Sequence, residues 1–241
     1  MSDIHELSCV VLCGGQGTRL REVVVDRPKA LAEVNRIPFI FLLLDQLSTL
    51  GITAVILCTG YRGEQIEQTV GGQYKNITIE YSREETRLGT GGAIKTALGK
   101  TSGTVILVLN GDSYVDFDLD NFVQQHSQSK SCFSMVLANV SNAQRFGVVE
   151  VDERGGIIGF FEKCHDTNTV RPGLINAGVY LINRDSIKAF SSKAPLSLEK
   201  EVIPSFVGAG LRGFRTEGRF IDIGTPESFA GAARFFEATL G

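Results

Sequence analysis

The chain has 241 residues, of which 43% are hydrophobic and 21% charged, and its formal net charge at pH 7 is −3. This balance argues against a nucleic-acid partner, since nucleic-acid-binding proteins present a strongly basic face. The apolar run FIFLLLDQL is short and contains Asp45, so we expect no transmembrane helix and no membrane partner. The five cysteines form no C-x-x-C pair, which is typical of buried free thiols and predicts a cytoplasmic protein.

The first half of the chain alternates short apolar strands with helices. Predicted strands cover 8–13, 53–58, 77–81 and 104–109, and predicted helices cover 39–50, 63–70 and 91–98. Alternation of this kind predicts right-handed crossovers and an α/β fold with a Rossmann-like, doubly wound, mostly parallel sheet. We expect residues 1–115 to form a nucleotide-binding half.

The second half changes its pattern to closely spaced strands, predicted at 133–140, 146–151, 157–161 and 175–182. Such spacing predicts antiparallel pairing, with a β-hairpin appended to the mixed sheet at the turn DERGG. A helix that ends near Pro204 and a terminal helix complete the pattern. No linker or repeat divides the chain, so we expect a single domain over 1–241, with 116–241 covering the nucleotide-binding half.

A glycine-rich turn, CGGQGTRL, follows the first predicted strand. As a turn from a strand into a short helix, it would expose backbone N–H groups that can cradle phosphate. A dinucleotide-binding fingerprint would need a third glycine where Leu20 stands. A P-loop that starts at Gly14 would need its second glycine where Arg19 stands, so neither motif fits.

Two basic residues, Arg19 and Lys29, lie in and shortly after this turn. Arginine offers a planar fork of donors and lysine a point charge on a flexible stem. Two cations that converge with backbone amides suit a polyphosphate whose charge moves during a reaction. The turn therefore favours phosphate chemistry.

Two aspartates end apolar strands at distant points of the chain. Asp112 follows the strand at 104–109, and Asp222 lies in RFIDIGTPESF. Ligands of open α/β sheets bind beyond the carboxyl ends of the strands. Because Mg²⁺ usually takes one or two carboxylates together with phosphate oxygens, Asp112 and Asp222 could hold one Mg²⁺ between them.

Taken in order, these motifs resemble those of the sugar-1-phosphate nucleotidyltransferases, also called nucleotide-sugar pyrophosphorylases. The matching segments are GGQGTRL, RPKALAEV, LGTGGAI, NGD, FGVVEV, FEK, NAGVYLI and RFIDIGTPESF. The resemblance implies the nucleotide-diphospho-sugar transferase fold and a Mg²⁺-dependent reaction of an NTP with a sugar 1-phosphate, which yields an NDP-sugar and pyrophosphate. GTRLREVVVDRPKALA and NGDSYVDFDL are most similar to the heptose-1-phosphate guanylyltransferase branch, which implies GTP and D-glycero-α-D-manno-heptose 1-phosphate as substrates.

The resemblance also implies roles for individual residues. Arg19 would bind the leaving pyrophosphate, Lys29 would bridge the α-phosphate and the attacking oxygen, and Asp112 and Asp222 would hold Mg²⁺. The residues implied in nucleotide binding are Leu12, Gly14, Gly15, Gly17, Thr18, Arg19, Gly89 and Gly111. The residues implied in sugar-phosphate binding lie in the second half and are Gly147, Glu162, Lys163, Asn176 and Gly178.

Several alternatives stay open. Within the family, the chain could be a mannose-1-phosphate guanylyltransferase or a uridylyl- or thymidylyltransferase for another sugar. A different class is a catalytically silent regulator that binds a nucleotide-sugar, although such homologues usually lose a metal aspartate or the arginine–lysine pair, and this chain keeps all four. A nicotinamide dehydrogenase is disfavoured because the third glycine is missing. The apolar hairpin region is a candidate homodimer contact.

Overall fold

A mixed sheet of ten strands runs through the protein in the computed structural model, which describes residues 7–20, 22–161 and 171–237. In chain order the strands, including those of two small additional ribbons, are β1 (Ser8–Leu12), β2 (Glu33–Val34), β3 (Ile37–Pro38), β4 (Ala54–Thr59), β5 (Gln73–Tyr74), β6 (Ile77–Arg83), β7 (Val105–Asn110), β8 (Ser113–Val115), β9 (Phe133–Val140), β10 (Val148–Val151), β11 (Ile157–Phe161), β12 (Gly173–Asn183), β13 (Leu211–Thr216) and β14 (Phe220–Asp222). The helices are α1 (Phe39–Thr49), α2 (Gly63–Val70), α3 (Gly89–Ala97), α4 (Leu119–Gln128), α5 (Arg184–Lys188), α6 (Ile203–Phe206) and α7 (Pro226–Glu237).

The strand order of the sheet is β11–β10–β12–β7–β1–β4–β6–β5, and β9 pairs with β12 and with β13. The neighbours β7, β1, β4 and β6 are parallel, which confirms the doubly wound first half. β12 runs antiparallel to β7, and the hairpin β10–β11 joins the sheet beside it, as the second half predicts. The carboxyl ends of β1, β4 and β7 therefore meet at one edge of the sheet.

Two apolar layers cover the faces of the sheet, and each takes residues from both halves of the chain. Along β1, Cys9 and Val11 face one layer while Val10 faces the other. Burial on both faces explains why the central strands have continuous apolar sequences rather than alternating ones. The described cysteines are free thiols, and burial raises the pKa of the Cys58 thiol to about 12.

No helix within the described ranges is long and apolar enough to cross a membrane.

One local prediction was wrong, and one predicted helix end lies two residues from its position in the structure. The glycine turn does not enter a helix, because the chain instead turns back with a hydrogen bond from Leu20 N to Gly17 O. The helix expected to end near Pro204 ends at Phe206, because Pro204 lies in the first turn of α6, where proline is tolerated.

Candidate active site

A continuous groove lies at the carboxyl ends of the central parallel strands. Its smaller cleft, of about 280 Å³, and its larger cleft, of about 680 Å³, share several lining residues, Asp112 among them. The predicted nucleotide-binding and catalytic residues that line one or both clefts are Leu12, Gly14, Gly15, Gly17, Thr18, Arg19, Lys29, Gly89, Gly111 and Asp112. The structure therefore brings together residues from three separate segments of the chain.

Two glycines of the groove, Gly89 and Gly15, differ in how much space the fold leaves for a side chain. Gly89 opens α3 with φ +76°, and a Cβ there would lie 2.4 Å from the Leu196 carbonyl oxygen, so no side chain fits. At Gly15, by contrast, a Cβ would meet nothing within 4 Å. The protein itself does not exclude a side chain at Gly15, which leaves the loop backbone open to a ligand.

A lysine–aspartate ion pair lies in the smaller cleft. The Lys29 Nζ donates to Asp112 Oδ2 at 2.7 Å, and the Lys29 side chain is only 13% exposed. The glycine loop packs on the lysine stem, because a Cβ at Gly17 would lie 3.2 Å from the Lys29 Cβ. The loop and the ammonium group are thus held against one another at the end of β7.

The second predicted metal ligand, Asp222, reaches the same place through a short ribbon. β14 pairs antiparallel with β8, which sets Asp222 opposite Ser113, and Ile223 N donates to the Asp112 carbonyl oxygen at 2.9 Å. Asp222 and Asp112 are therefore close in the fold although 110 positions separate them in the chain.

The Asp222 carboxylate is held on both oxygens. Arg145 Nη2 donates to Oδ1 at 2.5 Å, and Gly224 N donates to Oδ2 at 2.8 Å. Arg145 also donates through Nη1 to Thr225 Oγ1 at 2.9 Å, so its planar fork spans two partners. The sequence offered no motif for Arg145, which precedes FGVVEV and meets Asp222 only after folding.

The two carboxylates fit a hard divalent cation. Mg²⁺ binds oxygen ligands and commonly uses one or two protein carboxylates, with waters and substrate phosphates completing its shell. A group of three or more His, Cys, Asp or Glu side chains suited to a metal is absent from the described ranges. Asp112, whose side chain is 43% exposed, lines the groove, and Asp222 is fixed next to its backbone.

Two exposed arginines supply further positive charge to the groove. Arg19 lines the smaller cleft, and Arg87 lines both clefts. Neither guanidinium group makes a hydrogen bond within the part of the chain that the structure describes. Arg87 was missed by the sequence reasoning, although it is the residue two positions before Gly89, next to the LGTGGAI motif. Both side chains are positioned to contact an anionic ligand.

One carboxylate of the larger cleft has a perturbed pKa. Burial raises the pKa of Glu84, while the Leu88 N–H and the Arg87 charge oppose that shift. The hydrogen bond from Leu88 N to Glu84 Oε2 is 3.0 Å. Glu84 thereby ties the segment that carries Arg87 to the start of α3.

The predicted sugar-phosphate residues gather at a bulge in β12, where its register against β9 shifts between Asn176 and Tyr180. The Asn176 Nδ2 donates to the Tyr180 hydroxyl at 2.8 Å, and Gly178 N donates to Asn176 Oδ1 at 3.0 Å. Gly178 has φ +80°, and a Cβ there would lie 2.8 Å from Asn110 Nδ2, so the bulge requires glycine. Asn110 lines the larger cleft, which connects this bulge to the groove.

The bulge network is neutral. Burial raises the pKa of Tyr180 well above its usual value, so its hydroxyl keeps its proton. The Gly147 carbonyl accepts a hydrogen bond from Asn176 N at 3.1 Å, which holds the hairpin to the bulge. Gly147, Asn176 and Gly178 lie together but do not line either cleft. Glu162 and Lys163 lie outside the described residues.

The chain is similar to known nucleotidyltransferases over most of its length. The model of the nucleotidyl transferase family matches residues 8–239. The D-glycero-alpha-D-manno-heptose 1-phosphate guanylyltransferase of Campylobacter jejuni is 36% identical over 92% of this chain and 97% of its own length. The mannose-1-phosphate guanylyltransferase of Mycobacterium tuberculosis is 34% identical over 93% of this chain but 63% of its own length. The structure of HddC from Yersinia pseudotuberculosis complexed with GMP-PN is 30% identical, with a TM-score of 0.83 and coverage of 95% and 99%.

Proposed function

Since the chain belongs to the nucleotidyl transferase family, we propose that it transfers a guanylyl group from GTP to D-glycero-α-D-manno-heptose 1-phosphate, which yields GDP-heptose and pyrophosphate. Two observations support these substrates. The heptose relative aligns over almost its entire length, whereas the mannose relative extends well beyond the aligned part. HddC, which is similar over nearly the whole chain, was crystallised with a guanine nucleotide analogue.

The observation that carries the proposal is the cluster of Lys29, Asp112 and Asp222 beside an open glycine loop. In the proposed reaction a phosphate oxygen of the sugar 1-phosphate forms a bond to the α-phosphorus of GTP. The bond from that phosphorus to the oxygen shared with the β-phosphate breaks, and pyrophosphate leaves with both electrons. No protein nucleophile takes part, so the residues act by positioning and by charge stabilisation.

Each charged residue then has a proposed role. Lys29 binds the α-phosphate and stabilises the charge that builds on it, and Arg19 and Arg87 bind the leaving pyrophosphate. We propose Mg²⁺ as the divalent metal, with Asp112 and Asp222 as its protein ligands. When bound, the ion neutralises phosphate charge.

The two halves of the chain have complementary proposed tasks within one domain over 1–241. Residues 1–115 bind the nucleotide, with the Gly89 segment against the base. Residues 116–241 bind the sugar phosphate, where Gly147, Asn176 and Gly178 organise the contacts to its hydroxyl groups. The roles of Glu162 and Lys163, the cytoplasmic location and the homodimer remain predictions from the sequence.

The test is pyrophosphate release measured with each of GTP, ATP, CTP, UTP and dTTP against heptose, mannose, glucose and N-acetylglucosamine 1-phosphates. We expect the largest kcat/KM with GTP and the heptose substrate. A higher value with mannose 1-phosphate would contradict the sugar assignment, and a higher value with UTP or dTTP would contradict the base. No turnover with any pair would favour the silent nucleotide-sugar-binding regulator.

A further inference from the structure

The larger cleft of the groove extends beyond the side chains that carry the phosphate chemistry. Arg19 and Lys29 line only the smaller cleft, whereas Glu84, Thr90 and Ala93 line only the larger one. In the proposed reaction the phosphates of the nucleotide lie at Arg19 and Lys29. The base of the nucleotide then lies in the part of the larger cleft that the smaller cleft does not share.

Glu84 is fixed in this part of the cleft by its backbone and by its side chain. It follows β6 directly, at the same edge of the sheet as the end of β4, and its N–H donates to the Thr59 carbonyl oxygen at 2.8 Å. Leu88 N donates to Glu84 Oε2 at 3.0 Å, and the residue is half-buried. The position of the carboxylate is therefore set by the fold.

The other oxygen of the Glu84 carboxylate faces the glycine loop. A Cβ at Gly14 would lie 3.3 Å from Glu84 Oε1, so no side chain separates this oxygen from the loop backbone. Within the ranges that the structure describes, Oε1 accepts no hydrogen bond and the carboxylate forms no ion pair. A partly desolvated carboxylate binds a hydrogen-bond donor more strongly than one in bulk water does. A ligand that brings an N–H group to this point would supply the partner.

The other carboxylates that line the larger cleft are bonded elsewhere or lie in solvent. Glu199 accepts a hydrogen bond from Ser197 Oγ at 3.3 Å, and Glu201 accepts one from Ser197 N at 2.9 Å. Asp112 belongs to the ion pair at the phosphate end. Glu85 and Glu201 are exposed. The half-buried carboxylate next to the glycine loop is therefore the best placed of them to read a base.

A carboxylate can distinguish guanine from the other bases by the pattern of their donors and acceptors. An ionised carboxylate only accepts hydrogen bonds, and its oxygens can take two parallel donors. Guanine presents two adjacent donors, N1–H and the 2-amino group. Uracil and thymine present one N–H between two carbonyl oxygens, and adenine and cytosine place a ring nitrogen acceptor beside their amino group. Only guanine therefore offers two donors side by side.

We propose, on the premise of the proposed guanylyl transfer, that Glu84 selects the base by accepting hydrogen bonds from guanine N1–H and the 2-amino group. Oε1 accepts one of these donors. Oε2 accepts the other, because the Leu88 N–H uses only one of its lone pairs. Because the fold already holds the carboxylate, little conformational entropy is lost when the base binds. UTP and dTTP would place a carbonyl oxygen against the same negative charge, which selects against them.

Glu84→Gln tests this proposal, with the binding of GDP, inosine 5′-diphosphate (IDP) and UDP measured by calorimetry in the presence of Mg²⁺. Glutamine can still accept the Leu88 N–H, but it lacks the charge and turns an NH₂ donor toward the donors of guanine. We expect the affinity for GDP to fall at least about tenfold. IDP lacks the 2-amino group, so its affinity should fall less. The affinity for UDP should stay the same or rise, because a negative charge is removed near an anionic ligand.

Glu85→Gln is the matched control, because it removes the same charge from an exposed position that lines the same cleft. It should leave the affinities for the three nucleotides within about twofold of those of the unsubstituted protein. Thermal unfolding reports whether each variant folds. Glu84→Asp keeps the charge but shortens the side chain by one methylene, and this milder variant should still lower the GDP affinity several-fold.

The outcomes separate this proposal from the proposed function. An unchanged ratio of GDP to UDP affinity in Glu84→Gln, or an equal change of that ratio in Glu85→Gln, would overturn the role of Glu84 and leave guanylyl transfer intact. Equal affinity of the unsubstituted protein for GDP and UDP would overturn both. If Glu84→Gln abolishes a preference for GDP in a protein that forms no GDP-sugar, the role of Glu84 stands and the proposed enzyme is contradicted.

Discussion

The two ends of the proposed active site are built from different chemistry. At the phosphate end, charged groups from distant segments pair with each other, Lys29 with Asp112 and Arg145 with Asp222. At the bulge of β12, neutral groups that lie close in sequence, Asn176 and Tyr180, pair instead. Ion pairs at a cleft can exchange partners with a charged substrate, whereas a neutral network fixed by a bulge suits the recognition of hydroxyl groups. We therefore expect changes at the first end to affect turnover and changes at the second to affect sugar affinity.

The largest effect should come from Asp112→Asn. This change removes the negative charge that pairs with Lys29 and that we propose to hold Mg²⁺. We expect kcat to fall roughly a thousandfold or more while the melting temperature changes little. Pyrophosphate release measures kcat, and Asp116→Asn, which removes a carboxylate paired with Arg219, is the matched control. Undiminished turnover in Asp112→Asn would exclude the proposed role.

Lys29→Ala should have the next largest effect. Its ammonium group would matter most as charge builds on the α-phosphate, so we expect kcat to fall roughly a hundredfold and the KM for GTP to change much less. Lys75→Ala removes a lysine that pairs with Asp45 at 2.5 Å and serves as the control. A change confined to the KM would mean that Lys29 only binds the nucleotide.

Arg145→Ala tests whether a residue that we do not expect to contact the substrate positions Asp222. Loss of the bonds to Asp222 and Thr225 should weaken metal binding by about 10- to 100-fold. The measurement is Mn²⁺ binding followed by electron paramagnetic resonance, together with the metal dependence of turnover. Arg145→Lys keeps the positive charge but lacks the planar guanidinium group, so it should recover part of the affinity for Mn²⁺. Equal metal affinity in the unsubstituted protein, Arg145→Ala and Arg145→Lys would contradict the positioning role.

The smallest effect should come from Tyr180→Phe at the neutral end. This change removes the hydroxyl that accepts the hydrogen bond from Asn176, so the amide is held less firmly. We expect the KM for the sugar 1-phosphate to rise about fivefold, with the KM for GTP unchanged. Steady-state kinetics with each substrate varied in turn measures both. A fall in kcat with both KM values unchanged would show that the two ends are not functionally distinct.

The sequence predicted which residues lie at the phosphate end of the site, but it did not predict the contacts that hold them there. Strand-end placement alone predicted that Asp112 lies at the ligand edge, and the structure places it there with Lys29. The proximity of Asp222 depends on the pairing of β14 with β8, two three-residue strands too short to have a clear periodicity. Arg145 and Arg87 were missed because single arginines carry no sequence pattern, and only folding brings Arg145 to Asp222 and Arg87 to the groove.

Helix α4 was missed for a different reason, since its signals were present in the sequence. Asp118 caps it by accepting the Asn121 N–H at 3.0 Å, and Leu119, Phe122, Val123 and His126 form its buried face. That spacing is helical, but the segment is polar overall. Strand β13 was not predicted either, because its two buried residues, Leu211 and Phe214, lie three positions apart and show no period-two alternation.

The central claim is that Lys29 and Asp112 form a single chemical unit at the phosphate end. A double-mutant cycle tests it most directly, with the single-turnover rate of guanylyl transfer measured for Lys29→Ala, Asp112→Asn and the combined variant. Groups that act as a unit give non-additive losses, so we expect the combined variant to be no more than about threefold slower than Asp112→Asn alone. A combined loss equal to the product of the two single losses would contradict the account.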